Sequence, residues 1–100
     1  MDELRFEWDE AKDAINRSKH GLSFGEARTV FFDPHELVIG DPDHPAVEER
    51  FVILGYSRAL RLLVVAHCHR ESEGVIRIIS ARKATKHEAR DYQAGGRHGR

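Results

Sequence analysis

Arg77-Ile78-Ile79-Ser80-Ala81-Arg82-Lys83 places three cations in a run otherwise rich in β-branched residues. In an extended chain Val75, Arg77, Ile79 and Ala81 share one face, and Ile76, Ile78, Ser80 and Arg82 share the other. Arg77 therefore interrupts an apolar row, and an inward-tending arginine needs an anionic partner or a ligand. The alternative is an edge position where Arg77 reaches water or pairs with an N-terminal acid. A hairpin loop over Arg70 to Gly74 sets His67 beside Arg77 and Leu62 beside Arg82. A histidine next to a fixed arginine joins proton transfer to stabilisation of anionic charge. RNA cleavage by the ribose 2′-OH needs both. The competing reading of His67 is a half-buried ring hydrogen-bonded to a carbonyl.

Other candidate chemistries have less behind them. In His67-Cys68-His69 the two histidines share a face and Cys68 points away, so the triplet offers two ligands where a metal site needs three or four. The reading is no metal and no cofactor, with Cys68 as a small core residue. Lys19-His20-Gly21 ends a helix with two cations at the negative end of its dipole, which stability alone explains. Facing phosphate is the functional alternative. No Gly-rich phosphate loop stands between a strand and a helix.

The elements that must position these residues follow from periodicity. Phe6-Glu7-Trp8 is a candidate short first strand. Asp9 caps a helix to about His20 with Ala11, Ala14 and Ile15 as its apolar stripe, and Gly21 terminates it. Ser23 and Glu26 have capping-box spacing and open a second helix with Ala27, Val30 and Phe31 inward, stopped at Asp33-Pro34. Leu37 to Ile39, Arg50 to Tyr56, Arg61 to His69 and Val75 to Arg82 read as strands of a four-stranded antiparallel meander. Helices cover one of its faces, and something else partly covers the other. Thr85 and Glu88 open a last helix to about Gln93. The result is one α+β domain over residues 1–93 and a flexible tail over 94–100.

Composition narrows the function. The chain has 100 residues, 40% hydrophobic and 33% charged, with no apolar run near the ~18 residues of a membrane span. One cysteine forms no internal disulfide, and the acidic start lacks the pattern of a signal peptide, so the expectation is a cytoplasmic protein. Residues 1–50 carry thirteen acids against six Lys/Arg, giving −7; residues 51–100 carry four against ten, giving +6, and the sum is −1. The basic half is the expected polyanion-binding surface.

An ordered series of motifs adds to this reading. Phe6-Glu7-Trp8-Asp9, Lys19-His20-Gly21, Ser23-Phe24, Asp33-Pro34, Glu49-Arg50-Phe51, Ile53-Leu54-Gly55 and Ile76 to Thr85, with Glu88 and Tyr92, resemble the BrnT toxins. The resemblance implies a RelE-like ribonuclease toxin of a type II toxin–antitoxin system. It also implies a BrnA-type antitoxin that neutralises the toxin, the complex binding operator DNA through the antitoxin. His67-Cys68-His69 and the Gly-rich tail depart from the family pattern. The expected site has Arg77 and Arg82 holding the scissile phosphate, with His67 or His20 transferring a proton. Lys83, Arg61 and Lys86 would attract the RNA backbone, and Lys19 and Tyr92 enter from the resemblance. A non-enzymatic basic module for RNA or a partner protein is the competing class.

Overall fold

The computed structural model describes residues 4–44, 49–70 and 74–98. The tip of the expected Arg70 to Gly74 loop and the last two residues of the expected tail lie outside the described residues. A five-stranded sheet in the order β1-β5-β4-β3-β2 carries three α-helices. Its strands are β1 (Arg5–Glu7), β2 (Leu37–Gly40), β3 (Arg50–Tyr56), β4 (Leu62–Arg70) and β5 (Val75–Lys83). The last four form the expected antiparallel meander. The candidate first strand is real and joins the sheet by parallel pairing, Arg5 to Glu7 lying beside Val75 to Arg77.

The local signals explain the helices. Asp9 accepts from the N–H groups of Ala11 (2.8 Å) and Lys12 (3.2 Å), opening α1 (Glu10–His20). Gly21 closes α1 at φ +69°, a conformation that costs glycine nothing. Ser23 caps α2 (Phe24–Ala27) by accepting from Glu26 N–H, and the chain tightens into a 3₁₀ turn over Arg28–Phe32. Thr85 and Glu88 exchange both bonds of a capping box at the start of α3 (Lys86–His98).

The apolar stripe expected on α1 is not what packs. Ile15 is 63% exposed, and Asp13 and Asn16 are the residues that turn inward. Asn16 donates to Leu22 C=O (2.9 Å) and accepts from Ala81 N–H (3.1 Å), so it fastens α1 to β5. Asp13 accepts from Phe24 N–H at 2.7 Å, tying α1 to the start of α2. These bonds satisfy backbone groups that burial would otherwise strand, which decides the helix orientation over Ile15.

The core lies between this helical layer and one sheet face. It contains Leu22, Phe24, Ala27 and Val30 from the helical side and Ile53, Leu63, Val65, Ile78 and Ala81 from the sheet. Phe6, Trp8 and Phe31 close its margin. The opposite face is partly covered by α3, which sets Glu88 and Asp91 beside Leu54 and Val64. This helix runs to His98 rather than ending near Gln93. Gly95 allows it: a Cβ there would collide with the methyl carbons of Leu37, so the glycine lets α3 lie close on β2.

Candidate active site

The geometry of β5 turns on one irregularity. From Leu63 to Ala66, β4 pairs with Lys83 to Ser80 in regular register; His67 then pairs with Ile78, leaving Ile79 as an extra residue. The pairing starts one residue off the expected register at Arg70 and Val75, which sets Arg77 opposite Cys68. The β-bulge adds one more step, which sets Arg82 opposite Val64. It also changes the expected faces. Ala81 and Ile78 point into the core, while Arg77, Ser80 and Arg82 share the outer face.

His67 and Arg77 are therefore on opposite sides of the sheet. His67 is 1% exposed and its Nδ1 lies 3.2 Å from Val65 C=O, with Phe31 packed edge-on at 4.8 Å. Burial first, then the neighbouring His69, push its pKa down from 6.5 to about 4 against the raising effect of the Val65 bond. It is a neutral core histidine at pH 7, as the carbonyl-bonded alternative described. Arg77 is half-exposed and pairs with Glu7 at 2.8 Å, the N-terminal acid of the competing reading. Cys68 is half-buried on the outer face, not in the core, because the alternation that buries His67 turns its neighbour out. The His67 and His69 rings lie 5.3 Å apart.

The structure does bring His20 and Arg82 together. Both line a cleft of about 170 Å³ on the outer face with Ser80, Arg50, Asp41, Asp43 and His44. His20 arrives from the end of α1, which the Asn16 bond to Ala81 N–H holds against β5. Asp41, Asp43 and His44 after β2, with Arg50 at the start of β3, supply the opposite wall. Buried Asp41 accepts from Arg50 Nε (2.9 Å) and Asp43 N–H (2.9 Å) and lies 3.3 Å from His44 Nδ1. Burial raises the Asp41 pKa, but these donors outweigh it and hold the carboxyl below its usual value. Arg50 and His44 were not singled out from the sequence. Arg50 starts a strand and His44 stands in a loop read only by composition, and nothing but the hairpin geometry shows that they share a wall.

The expected phosphate-binding cations differ in how they are engaged. Arg82 makes a bidentate pair with Glu88 of α3, both bonds 2.8 Å. That pairing is the main cause holding the Glu88 pKa at about 2. Arg61 is bound to Glu26, with Nε at 2.9 Å, and this pair ties α2 to the turn before β4. The same bond lowers the Glu26 pKa, ahead of the opposing effect of burial. Tyr92 donates to Asp33 Oδ2 at 2.6 Å, and burial followed by that carboxylate pushes its phenol pKa up. Lys19, Lys83 and Lys86 are exposed. No group of three or more His, Cys, Asp or Glu side chains suited to a metal ion occurs among the described residues.

Comparison with known proteins fits this architecture to a class. Residues 8–88 match the family described as the ribonuclease toxin BrnT of a type II toxin–antitoxin system. The chain belongs to the BrnT family of ribonuclease toxins. The 1.1 Å crystal structure of the Brucella abortus ribonuclease toxin BrnT superposes with a TM-score of 0.65. That likeness covers 84% of this chain and all of the other, at 23% identity, and shows a shared fold. No curated protein matches the chain. Among the described residues no helix is long and apolar enough to cross a membrane.

Proposed function

We propose that the protein is a RelE-like endoribonuclease toxin that cleaves RNA in the outer-face cleft, without a metal ion, and so arrests translation. The observation that carries this reading is the meeting of His20, His44, Arg50 and Arg82 around one small cleft. His20 accepts the proton of a ribose 2′-OH as that oxygen attacks phosphorus. The bond from phosphorus to the 5′-oxygen breaks, and the leaving oxygen takes a proton from His44, whose ring Asp41 positions from 3.3 Å. The products are a 2′,3′-cyclic phosphate and a 5′-hydroxyl. Arg82 and Arg50 hold the phosphoryl oxygens as charge builds on them, a role suited to planar bidentate donors. Arg77, Lys83, Lys86 and Lys19 attract the remaining backbone.

On this reading the toxin works in the cytoplasm and a BrnA-type antitoxin holds it there, the pair contacting operator DNA through the antitoxin. The antitoxin covers the Arg77 to Arg82 strand or α3, and complementary charge makes that association fast and salt-dependent. The test of the enzyme is a defined RNA incubated with purified protein in excess EDTA. Cleavage by the wild type and its loss in His20→Ala and His44→Ala support the mechanism. Chelator-sensitive cleavage that divalent metal restores overturns its metal-free part.

A second reading has one observation in its favour. Arg61, Arg77 and Arg82 are each engaged by a carboxylate within the chain. A basic binding module for RNA or a protein does not need them free. An Arg77→Ala variant that folds and inhibits growth but binds RNA poorly supports that class.

A further inference from the structure

A second concavity opens beyond the other end of β3, where the strand leads into the turn after Tyr56. It has a volume of about 480 Å³, within the range of ligand pockets, and Arg28, Phe32, Asp33, Pro34, Tyr56 and Arg58 are among its lining residues. Two of its aromatic rings face solvent: Phe32 is 61% exposed and Tyr56 41%. Both are held rather than loose. Phe6 packs edge-on to Phe32 at 6.2 Å, and Tyr92 stands perpendicular to Tyr56 at 5.3 Å. The backbone between them is pinned as well. Tyr56 N–H donates to Asp33 Oδ2 and Arg58 N–H to Thr29 Oγ1, each at 2.8 Å.

The charge at this groove differs from the charge at the cleft. Arg50, Arg61, Arg77 and Arg82 are all bound to carboxylates. Arg28 and Arg58 are exposed, and no carboxylate holds either guanidinium among the described residues. Asp33 contributes a carboxylate to the wall, but it accepts from Tyr56 N–H, His35 N–H and the Tyr92 hydroxyl. Fixed aromatic faces with exposed arginines beside them suit an unstacked nucleobase and its flanking phosphates. Every base offers a π-face, and guanidinium groups take phosphate oxygens.

We propose that this groove is a substrate subsite that seats one unpaired base of a single-stranded RNA against Phe32 and Tyr56, with the adjoining phosphates on Arg28 and Arg58. The proposal rests on the ribonuclease reading and deepens it, because it assigns affinity to a place separate from the reacting cleft. Arg50 lines the cleft and Tyr56 the groove. Both lie on the outer face of β3 and are six residues apart, a span of roughly 20 Å at the usual rise of a strand. Tyr92 is a positioning residue here: it orients Tyr56 and shares its anchor on Asp33.

The test uses the full chain and a fluorescently labelled single-stranded RNA. Dissociation constants and cleavage rates are measured for wild type, Phe32→Ala and the double variant Arg28→Ala/Arg58→Ala. Loss of a stacked base raises Kd and KM about 10-fold, with kcat held within about twofold. The double variant also shows a shallower dependence of log Kd on log salt, by about 0.7 for each phosphate that is no longer neutralised. Melting curves establish that the variants fold; should Phe32→Ala fail, the double variant, with both changes at exposed side chains, carries the test. If the wild type cleaves RNA and both variants match it in Kd and KM, the subsite is overturned while the ribonuclease reading stands. If the wild type neither binds nor cleaves RNA, that reading falls and the subsite with it. Variants that keep RNA affinity but lose antitoxin binding overturn the subsite and assign the groove to the protein partner.

Discussion

Lowering the pH from 7.5 to 5 should cost the wild-type protein about 2 kcal/mol more stability than it costs a His67→Leu variant. The folded protein holds His67 at a pKa of about 4, against 6.5 for an open chain. Burial is the main cause, and the ring is 1% exposed. As pH falls below 6.5 the unfolded chain takes up a proton that the folded chain refuses, so stability is lost between 6.5 and 4 and is fully present above that window. With those two values the loss is about 2 kcal/mol at pH 5 and about 3 at pH 4. For a domain of this size, 2 kcal/mol corresponds to a melting-temperature drop of roughly 8–16 °C. The assay is thermal melting followed by circular dichroism at four or five pH values, for both proteins. Subtracting the variant removes the other titrating groups. Leucine leaves the Val65 carbonyl without the ring, so the variant starts lower at pH 7.5, and the quantity read is the slope of the difference. A difference that stays flat from pH 7.5 to 5 refutes the reasoning, as does a His67 resonance titrating near 6.5. A folded His67→Leu protein should also keep its RNA-cleaving activity at neutral pH, since the ring lies inside the core.

Three further outcomes are expected. Asn16→Ala strands Leu22 C=O and Ala81 N–H together and should lower stability in urea denaturation by about 2–3 kcal/mol. Glu88→Gln breaks the bidentate pair with Arg82 on a partly exposed helix and should cost about 1 kcal/mol in the same assay. Glu88 is held at about 2 against an ordinary 4.5, so its contribution is present above 4.5 and fades as pH falls toward 2. Arg82→Ala should reduce RNA cleavage on the order of 100-fold in a fold that still melts cooperatively, and Arg82→Lys should not restore it, because a point charge lacks the planar fork.

What the sequence shows of the fold is its local part. Asp9, Gly21, Ser23 and Thr85 act at the positions their spacing assigns, because caps and terminators are decided within a few residues. Arg50 to Tyr56 is bounded by turn residues and forms the strand expected. The orientation of α1 is not legible in this way. Apolar periodicity favours Ile15, while the partners that draw Asp13 and Asn16 inward are Phe24 N–H, Leu22 C=O and Ala81 N–H, one of them 65 positions away. The bulge at Ile79 is equally silent, since Ile78 and Ile79 are the same residue type and only the pairing with β4 distinguishes them. That one residue brings Arg82 to the face it shares with Arg77 and the His20 cleft, while the one-residue offset where Arg70 meets Val75 already parts Arg77 from His67. His44 and Arg50 complete the cleft around Asp41, a buried carboxylate in a segment that composition marks only as a loop.

β1 is made first and finds its partner last. Arg5 to Glu7 has no strand to join until Val75 to Arg77 has been synthesised, and the Asn16 side chain waits still longer for Ala81 N–H. Closing a loop of that length costs entropy, so both contacts between the two ends of the domain have to wait for β5. Ser80 and Arg82, which line the cleft, belong to the same late segment. A growing chain thus carries most of its helices and half of its sheet without carrying a site. On the ribonuclease reading, the nascent protein stays inert beside the ribosome that makes it, and it becomes dangerous to RNA only as its last strand comes home.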